Sequence, residues 1–338
     1  MGYFVSSWYP MNVLTIDSSV LGYRFNAELA GVVCEIETNY RCLQSTLCRW
    51  PPGRPNSPEV DKLSMQIFVA PGSARPARRP HFRGLHHVVV ASFGHANAFV
   101  IDLLRRRICA RISEGGARDS RFWNEILAPI AIGVVGPTVG VAPIHCACLS
   151  RDGNGLLVAG VSGAGKSTLC IALVQAGYDY VSDDWTYLAE GQDGLIAQGL
   201  ESRVKLLPDA KAHFSWLTNC PLTTSLNGEV AYEPPASSFG GRVLRSCKPR
   251  WCIFLDRLPG SQNRFAPLGG DEARLRFQSG LEPLPLQVST ASKRRAEILE
   301  HIAHLPSWTF RYGSNPHLAA QDILSFVSSQ TQQVMAWA

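Results

Sequence analysis

The sequence lacks long hydrophobic runs, paired-cysteine motifs and an excess of charge of one sign. Without about eighteen consecutive apolar residues, no membrane-spanning helix is expected, and the N-terminus lacks the basic start of a signal peptide. The ten cysteines form no CxxC pair, so we expect free thiols in a reducing compartment. These absences predict a soluble cytoplasmic protein that does not associate with membranes.

Charge and composition exclude further classes of protein. Hydrophobic residues make up 46% of the 338 residues and charged residues 17%, which excludes a disordered or coiled-coil chain. The net charge of +5 comes largely from two short basic clusters at residues 75–83 and 293–295. A nucleic-acid-binding protein usually has a broader basic face, so we interpret both clusters as solvated surface and expect no nucleic-acid partner. Self-association into a homo-oligomer is left open.

The organisation of the chain changes near residue 138. Residues 51–58 and 71–80 are rich in proline, glycine and arginine and predict loops, while strands are predicted at 65–70, 87–92 and 98–102. Residues 121–141 carry apolar residues at helical spacing, and Pro129 predicts a break or kink there. We therefore predict an α/β protein with an N-terminal α+β module at residues 1–138 and a second domain at residues 139–338.

A glycine-rich motif stands near the start of the second domain. Residues 160–167, here called the phosphate loop, read GVSGAGKS and match G-x-x-x-x-G-K-[ST] without a mismatch. An apolar run precedes the motif, and Leu169, Ala172, Leu173 and Ala176 follow it at the spacing of one helix face, ended by Gly177. The residues predicted to contact a nucleotide are Gly160, Val161, Ser162, Gly163, Ala164, Gly165, Lys166, Ser167 and Thr168.

The chemistry of such a loop follows from its backbone and its helix. Glycines allow several N–H groups to point at phosphate oxygens, and the N-terminus of the helix adds partial positive charge. Lys166 would reach the β- and γ-phosphates, and the Ser167 hydroxyl would bind Mg²⁺. The motif therefore predicts a nucleotide site.

Two adjacent aspartates follow the next predicted strand. A helix over residues 166–176 carries the chain about 15 Å from the phosphates, and a strand over residues 178–182 returns it at about 3.3 Å per residue. A right-handed crossover makes this strand parallel to residues 156–159, so its end lies beside the phosphate loop. Asp183 and Asp184 are therefore predicted to hold Mg²⁺ or to accept a proton from an attacking hydroxyl.

One histidine is predicted to reach the same place. Residues 144–149 are apolar and precede Arg151-Asp152-Gly153-Asn154, which predicts a hairpin. With Asp152 and Gly153 at the turn centre, His145 lies opposite Gly160, where it could contact the transferred phosphoryl group or position the base. A histidine in an apolar strand is otherwise usually a core residue, and a shift of one residue would turn it to the other face.

These residues resemble a known family. His145, the run GVSGAGKSTL and the run GYDYVSDD resemble the catalytic domain of HPr kinase/phosphorylase and the wider HPr-kinase-like proteins, of which this chain would be a divergent member. The resemblance covers residues 142–188 and extends loosely, as a pattern of strands, to about residue 270. Residues 1–140 do not resemble the regulatory domain of HPr kinases.

The resemblance implies a P-loop fold of the phosphoenolpyruvate-carboxykinase-like type and Mg-ATP-dependent phosphorylation of a hydroxyl group, a protein serine in the prototype. Lys166 would bind phosphate, and Ser167 and Asp183 would bind Mg²⁺. Asp184 would take the acceptor proton, with His145 as a catalytic partner. Independently of the resemblance, residues 1–138 are a candidate acceptor-recognition module.

Other residues depart from the family pattern or allow another interpretation. The second metal-binding segment of the family has only an echo in residues 197–201, where Glu201 is the nearby carboxylate, so phosphorylase activity is not expected. Arg203 and Lys205 would either add charge near the phosphoryl group or form a solvated strand face. Asp256 ends an apolar run like a magnesium-binding aspartate, but we favour a core strand ending in an Asp256–Arg257 ion pair.

The leading hypothesis is thus a kinase that transfers the γ-phosphoryl group of ATP to a hydroxyl acceptor, which HPr itself need not be. One alternative keeps the kinase but makes the acceptor a small molecule or a ribosomal peptide. The other alternative is an ATP-binding switch module without catalysis.

Overall fold

Two large β-sheets and a short ribbon organise the chain in a computed structural model. The structure describes residues 16–47, 62–77, 80–192, 194–200, 203–224, 228–260, 262–313 and 315–336. The loop predicted at residues 51–58 lies outside these ranges. The nine cysteines within them are free thiols.

The first sheet is built by the N-terminal part of the chain. Its strands are β1 (Tyr23–Leu29), β2 (Val32–Thr38), β3 (Leu63–Ala70), β4 (His81–Leu85), β5 (Val88–Ser92), β6 (Ala98–Asp102) and β7 (Arg107–Ser113). They lie in the order β1-β2-β3-β7-β6-β5-β4, with β3 parallel to both β2 and β7. Strands β3, β5 and β6 match the predicted ones, whereas β1, β2, β4 and β7 were not predicted. Two short helices, α1 (Leu43–Leu47) and α2 (Glu114–Ala117), accompany the sheet.

A continuous helical segment covers this sheet where a helix was predicted. It begins as a π-helix at Phe122–Leu127, continues as α3 (Ala128–Val135) and ends in a 3₁₀ turn at Gly136–Val139. Pro129 lies in the first turn of α3. Helical residues precede Pro129 without interruption, so its missing N–H removes one hydrogen bond within the segment. The predicted break takes the form of a change from π-helix to α-helix at this point.

The segment Phe122–Val139 is also long and apolar enough, by length and composition, to cross a membrane, although its apolar residues do not form an unbroken run of eighteen. Within the structure 67% of the segment is buried, and Trp123, Ile132 and Val135 belong to the core beneath the first sheet. Burial in a protein core accounts for such a composition, so length and composition alone are a weak indication of a membrane helix.

The second sheet carries the predicted strand, loop, helix and strand. Its first six strands are β8 (Val141–Ile144), β9 (Ala147–Arg151), β10 (Asn154–Gly160), β11 (Asp179–Ser182), β12 (Thr186–Gly191) and β13 (Gly194–Gln198). A separate ribbon of β14 (Leu222–Thr224) and β15 (Val230–Tyr232) follows. The sheet is completed by β16 (Ser246–Arg257), β17 (Arg264–Leu268) and β18 (Ser307–Tyr312).

Strand β10 lies centrally in this sheet, parallel to β16 and antiparallel to β9. Strand β11 pairs antiparallel with β9, so it runs parallel to β10 with one strand between them. The predicted direction of residues 178–182 is therefore confirmed. The predicted hairpin register is also confirmed, since Asn154 pairs with Arg151 and Val158 with Ala147.

Helices cover both faces of the second sheet. They are α4 (Lys166–Gln175), α5 (Gly270–Ser279), α6 (Ser289–Ala303) and α7 (Pro316–Ala336). Helices α4 and α7 share one core, and α5 and α6 share the core on the opposite face. Because α7 lies over α4, Cys170, Ile171 and Val174 are buried as well as the predicted face. The result is a mixed α/β fold with several sheets.

The core of the first sheet also draws on later parts of the chain. Val141, Tyr187, Val288 and Ala291 belong to the same buried cluster as the first sheet and its helical cover. Residues 1–138 therefore do not form that hydrophobic core by themselves. The proposed division into residues 1–138 and 139–338 stays a prediction.

The end of α4 is set by Gly177, which has a φ of +106°. The Tyr178 N–H donates to the Leu173 carbonyl, and the Gly177 N–H donates to the Val174 carbonyl, which is the Schellman pattern. We expect Gly177→Ala to lower the free energy of unfolding by about 1–2 kcal/mol, because an alanine side chain strains this conformation. Urea unfolding would measure the change.

Gly133→Ala is the matched control for this substitution. Gly133 lies inside α3, and no atom outside its own stretch of helix backbone lies within 4 Å of the position its Cβ would take. Alanine should leave stability unchanged or raise it by up to about 1 kcal/mol at such a helical position. Equal destabilisation of both variants would contradict the role of Gly177 as a helix terminator.

Candidate active site

The phosphate loop connects β10 to α4 at the carboxyl edge of the second sheet. Val161, Ser162 and Gly163 are exposed, whereas Ala164 is buried and Gly165 precedes the first residue of the helix. Gly163 and Gly165 have φ values of +80° and +87°, which glycine adopts without strain. The loop therefore presents exposed backbone at the N-terminus of a buried helix, the arrangement that binds phosphate.

Lys166 closes the loop from its inner side. Its Nζ donates hydrogen bonds to the carbonyls of Gly160 at 2.9 Å and of Val161 at 3.4 Å. Only 8% of the residue is exposed. The ammonium group is therefore held against the backbone of the loop that it would serve, next to Ser167 and Thr168, which are half-buried in the same helical turn.

Asp183 is the buried member of the predicted acidic pair. It follows the last residue of β11 and is 5% exposed. Burial raises its pKa to about 7, and the neighbouring charge of Asp184 adds to this rise. A hydrogen bond from Ser167 and the positive charges of Lys166 and His145 act in the opposite direction. The structure thus brings Lys166, Ser167 and Asp183 together, as the crossover geometry indicated.

Asp184 points outward and contacts the predicted histidine. Its Oδ1 lies 2.9 Å from Nε2 of His145, and the two side chains are 69% and 39% exposed. The ring of His145 also lies 5.5 Å from the ring of Trp185, with 31° between the planes. The carboxylate and the imidazole therefore form an accessible pair at the mouth of the site.

The strand assignment around His145 was wrong in one respect. Residues 144–149 do not form one strand, because β8 ends at Ile144 and β9 begins at Ala147, with His145 in the bend between them. Strand β8 pairs with β12, and Ile144 lies opposite Thr186. This pairing, together with a hydrogen bond from the Thr186 hydroxyl to the Cys146 carbonyl, places His145 next to residues 184 and 185.

The other predicted charged residues lie elsewhere. Arg203 donates to the Glu233 carbonyl at 2.7 Å and lies 3.4 Å from Glu125, and Lys205 pairs with Glu229. Both cations are thus engaged by residues outside the phosphate loop.

In the segment at residues 197–201, Gly199 packs so closely on the Val181 carbonyl that a Cβ would lie 1.8 Å from its oxygen. Glu201 lies outside the described residues.

The apolar strand that ends near Asp256 also differs from the prediction in its ion pair. Residues 251–256 belong to β16, parallel to β10, as a buried strand. Asp256 pairs with Arg311 of β18 at 2.9 Å, so the predicted Asp256–Arg257 pair was wrong. The partner lies on a strand 55 residues later, which no local signal indicates.

Sequence reasoning missed two aromatic residues at the site. The Tyr312 hydroxyl donates to the carbonyl of Ala164 in the phosphate loop at 2.7 Å, and Trp185 lies over His145. Trp185 follows the acidic pair directly and could have been considered for that reason. Tyr312 comes from the last strand of the sheet, and nothing near it in the sequence points to the loop.

The oxygen groups at this site fit a magnesium ion. Oδ1 of Asp183 is buried and has no hydrogen-bond partner, while the Ser167 hydroxyl lies beside the same carboxylate. Mg²⁺ prefers oxygen ligands and is usually held by one or two carboxylates together with substrate phosphates. Across the described ranges, no group of three or more His, Cys, Asp or Glu side chains could hold a metal ion by itself.

No protein-family profile matches this chain, and no curated protein matches it. Among solved structures, the HPr(Ser) kinase/phosphatase from Coxiella burnetii is similar over 58% of this chain and 93% of that chain. The sequence identity is 13% and the TM-score is 0.33. A similarity of this size carries no argument for a shared activity, so the roles of the site residues stay predictions.

The raised pKa of Asp183 predicts a dependence of stability on pH. Its pKa rises from 3.8 to about 7 on folding, so the folded state favours the protonated carboxyl group, and this stabilisation is lost as the pH rises from about 4 to about 7. Asp183→Asn cannot titrate. Its stability relative to the wild type should therefore increase across this range, by on the order of a few kcal/mol.

Chemical unfolding at pH 4, 5.5 and 7.5 in the presence of EDTA would measure this difference. The chelator keeps divalent cations from binding the carboxylate and masking the effect. A stability difference between the two proteins that stays constant with pH would contradict the assignment of the raised pKa to Asp183.

Proposed function

We propose that the protein is a Mg-ATP-dependent kinase that transfers the γ-phosphoryl group to a hydroxyl acceptor. The proposal rests on two pairs of side chains that lie near Lys166 of the phosphate loop. In one pair Ser167 hydrogen-bonds to Asp183, and in the other His145 contacts Asp184. The two pairs differ in environment, since one is buried and the other exposed. This difference supports separate roles for them.

The buried pair serves the nucleotide. Backbone N–H groups of the loop and Lys166 bind the β- and γ-phosphates, and Ser167 and Asp183 would hold Mg²⁺. The ion supplies positive charge that neutralises the phosphate oxygens. Burial of Asp183 keeps water away from the carboxylate and strengthens its attraction to nearby cations.

The exposed pair serves the acceptor. Asp184 is accessible to an incoming hydroxyl group, and His145 holds the carboxylate through the 2.9 Å contact. Asp184 accepts the hydroxyl proton as the oxygen attacks the γ-phosphorus in line with the leaving oxygen of ADP. Catalysis then rests on positioning and charge neutralisation, as phosphoryl transfer requires.

The proposal predicts that Asp184→Asn keeps its affinity for MgATP and loses turnover. An amide cannot accept the proton, and removing a general base typically costs 10²–10⁴-fold in rate. Calorimetry would measure the binding of MgATP, and ADP release would measure turnover. Asp256→Asn is the matched control, because this aspartate also lies near a strand end but pairs with Arg311. Unchanged turnover in Asp184→Asn, with binding intact, would contradict the role of Asp184 as the base, whereas wild-type protein that binds MgATP without turning it over would support a switch module.

The nature of the acceptor is tested separately. The resemblance to HPr kinases makes a protein serine the first acceptor to examine, so HPr would be incubated with MgATP and the protein. A gain of one phosphate on an HPr serine, measured by mass spectrometry, would support a protein-serine acceptor. ATP turnover without phosphorylated HPr would favour a small-molecule or peptide acceptor, and Asp184→Asn serves as the inactive control.

A further inference from the structure

Arg257 and Tyr312 lie side by side at the ends of two neighbouring parallel strands, β16 and β18. Residues paired in this way project from the same face of a sheet. The preceding pair, Asp256 and Arg311, therefore projects from the opposite face, where its two side chains bind each other. The face that carries Arg257 and Tyr312 is the one that meets the phosphate loop.

Tyr312 fixes the loop from this side. The residue is 3% exposed, and its hydroxyl donates to the carbonyl of Ala164. A Cβ on Gly165 would lie 2.3 Å from the hydroxyl oxygen, so only glycine fits between this tyrosine and Lys166. The hydrogen bond joins the last strand of the sheet to Ala164, two residues before the helix begins at Lys166.

The position of the tyrosine ring is itself set by packing. Tyr312 stacks on Phe310 with centroids 5.8 Å apart, Phe310 stacks on Phe265 at 4.4 Å, and Phe265 stacks on Phe326 of α7 at 3.9 Å. Stacked rings of this kind restrict one another's rotamers. The stacked aromatic side chains therefore hold the tyrosine ring in the position from which its hydroxyl reaches the loop.

Arg257 extends over the same part of the loop. Its Cδ lies 3.9 Å from the position that a Cβ on Gly165 would take. Burial raises the pKa of Tyr312, and the positive charge of Arg257 partly opposes this rise. The pKa of His213 is lowered mainly by burial and, to a smaller extent, by the charge of Arg257. The side chain is exposed, and no acidic side chain in the described part of the chain forms an ion pair with it.

We infer that Arg257 is a further phosphate-binding residue, which contacts the terminal phosphate of a bound nucleoside triphosphate, and that Tyr312 is a positioning residue for the loop. The inference rests on the proposed function, since it requires a nucleotide at the loop. Lys166 is buried and bonded to two carbonyls, and two carboxylates face the same site. Arg257 adds a second side-chain cation on the other side of the loop, because β16 flanks β10 on the side away from β9 and β11. Arginine binds phosphate oxygens in a bidentate manner.

Calorimetric binding of MgATP and MgADP to Arg257→Ala and Arg257→Lys tests this role. We expect Arg257→Ala to weaken MgATP binding about tenfold or more, the typical effect of losing a charge-assisted hydrogen bond. MgADP, which lacks the terminal phosphate, should be affected less, and Arg257→Lys should recover part of the affinity. Arg250→Ala, an exposed arginine at the opposite end of β16, is the control and should match the wild type.

The outcomes separate this inference from the proposed function. Wild-type protein that binds no MgATP would overturn both, whereas wild-type binding that Arg257→Ala retains within twofold would overturn the role of Arg257 alone. An equal loss of MgATP and MgADP affinity would also contradict contact with the terminal phosphate.

Tyr312→Phe keeps the ring stack and removes the hydroxyl, so it should raise KM for ATP several-fold at an unchanged thermal midpoint. An unchanged KM would refute the positioning role.

Discussion

The burial of one carboxylate beside one lysine is the constraint on which the rest of the site depends. Asp183 is removed from water, carries an oxygen without a hydrogen-bond partner and has a pKa raised to about 7. An ionised carboxylate in such a place is unfavourable unless a cation approaches it. Lys166 and the Ser167 hydroxyl supply part of this compensation. The remaining demand for positive charge is what the proposed magnesium ion would meet.

The topology of the second sheet meets this constraint by bringing distant segments to one edge. The phosphate loop follows β10, the acidic pair follows β11, and β9 separates the two strands by one position. The bend between β8 and β9 carries His145 to the acidic pair, while Tyr312 arrives from the last strand. Helices on both faces keep the sheet apolar and rigid. Rigid strand ends hold side chains more accurately than loops do.

The first sheet is joined to this framework through its helical cover. Arg121 lies between Glu125 of the same helical segment and Glu233 of the second half, at 2.9 Å and 2.7 Å. Arg203 bonds to the same two glutamates. Residues from the second half also complete the core of the first sheet. The first sheet is therefore held close to the second.

The sequence alone determined what depends on neighbouring residues: the phosphate loop, helix α4 with its terminating glycine, the hairpin register and the direction of the strand before Asp183. Each follows from local turn chemistry and from the fixed rise of helices and strands. The tertiary structure alone decided the pairing of β8 with β12, which moved His145 from a strand into a bend, and the ion pair of Asp256 with Arg311. It also decided that Tyr312 reaches the phosphate loop. These contacts join residues 39 to 148 positions apart, and such pairings depend on how the whole sheet assembles, which no local pattern encodes.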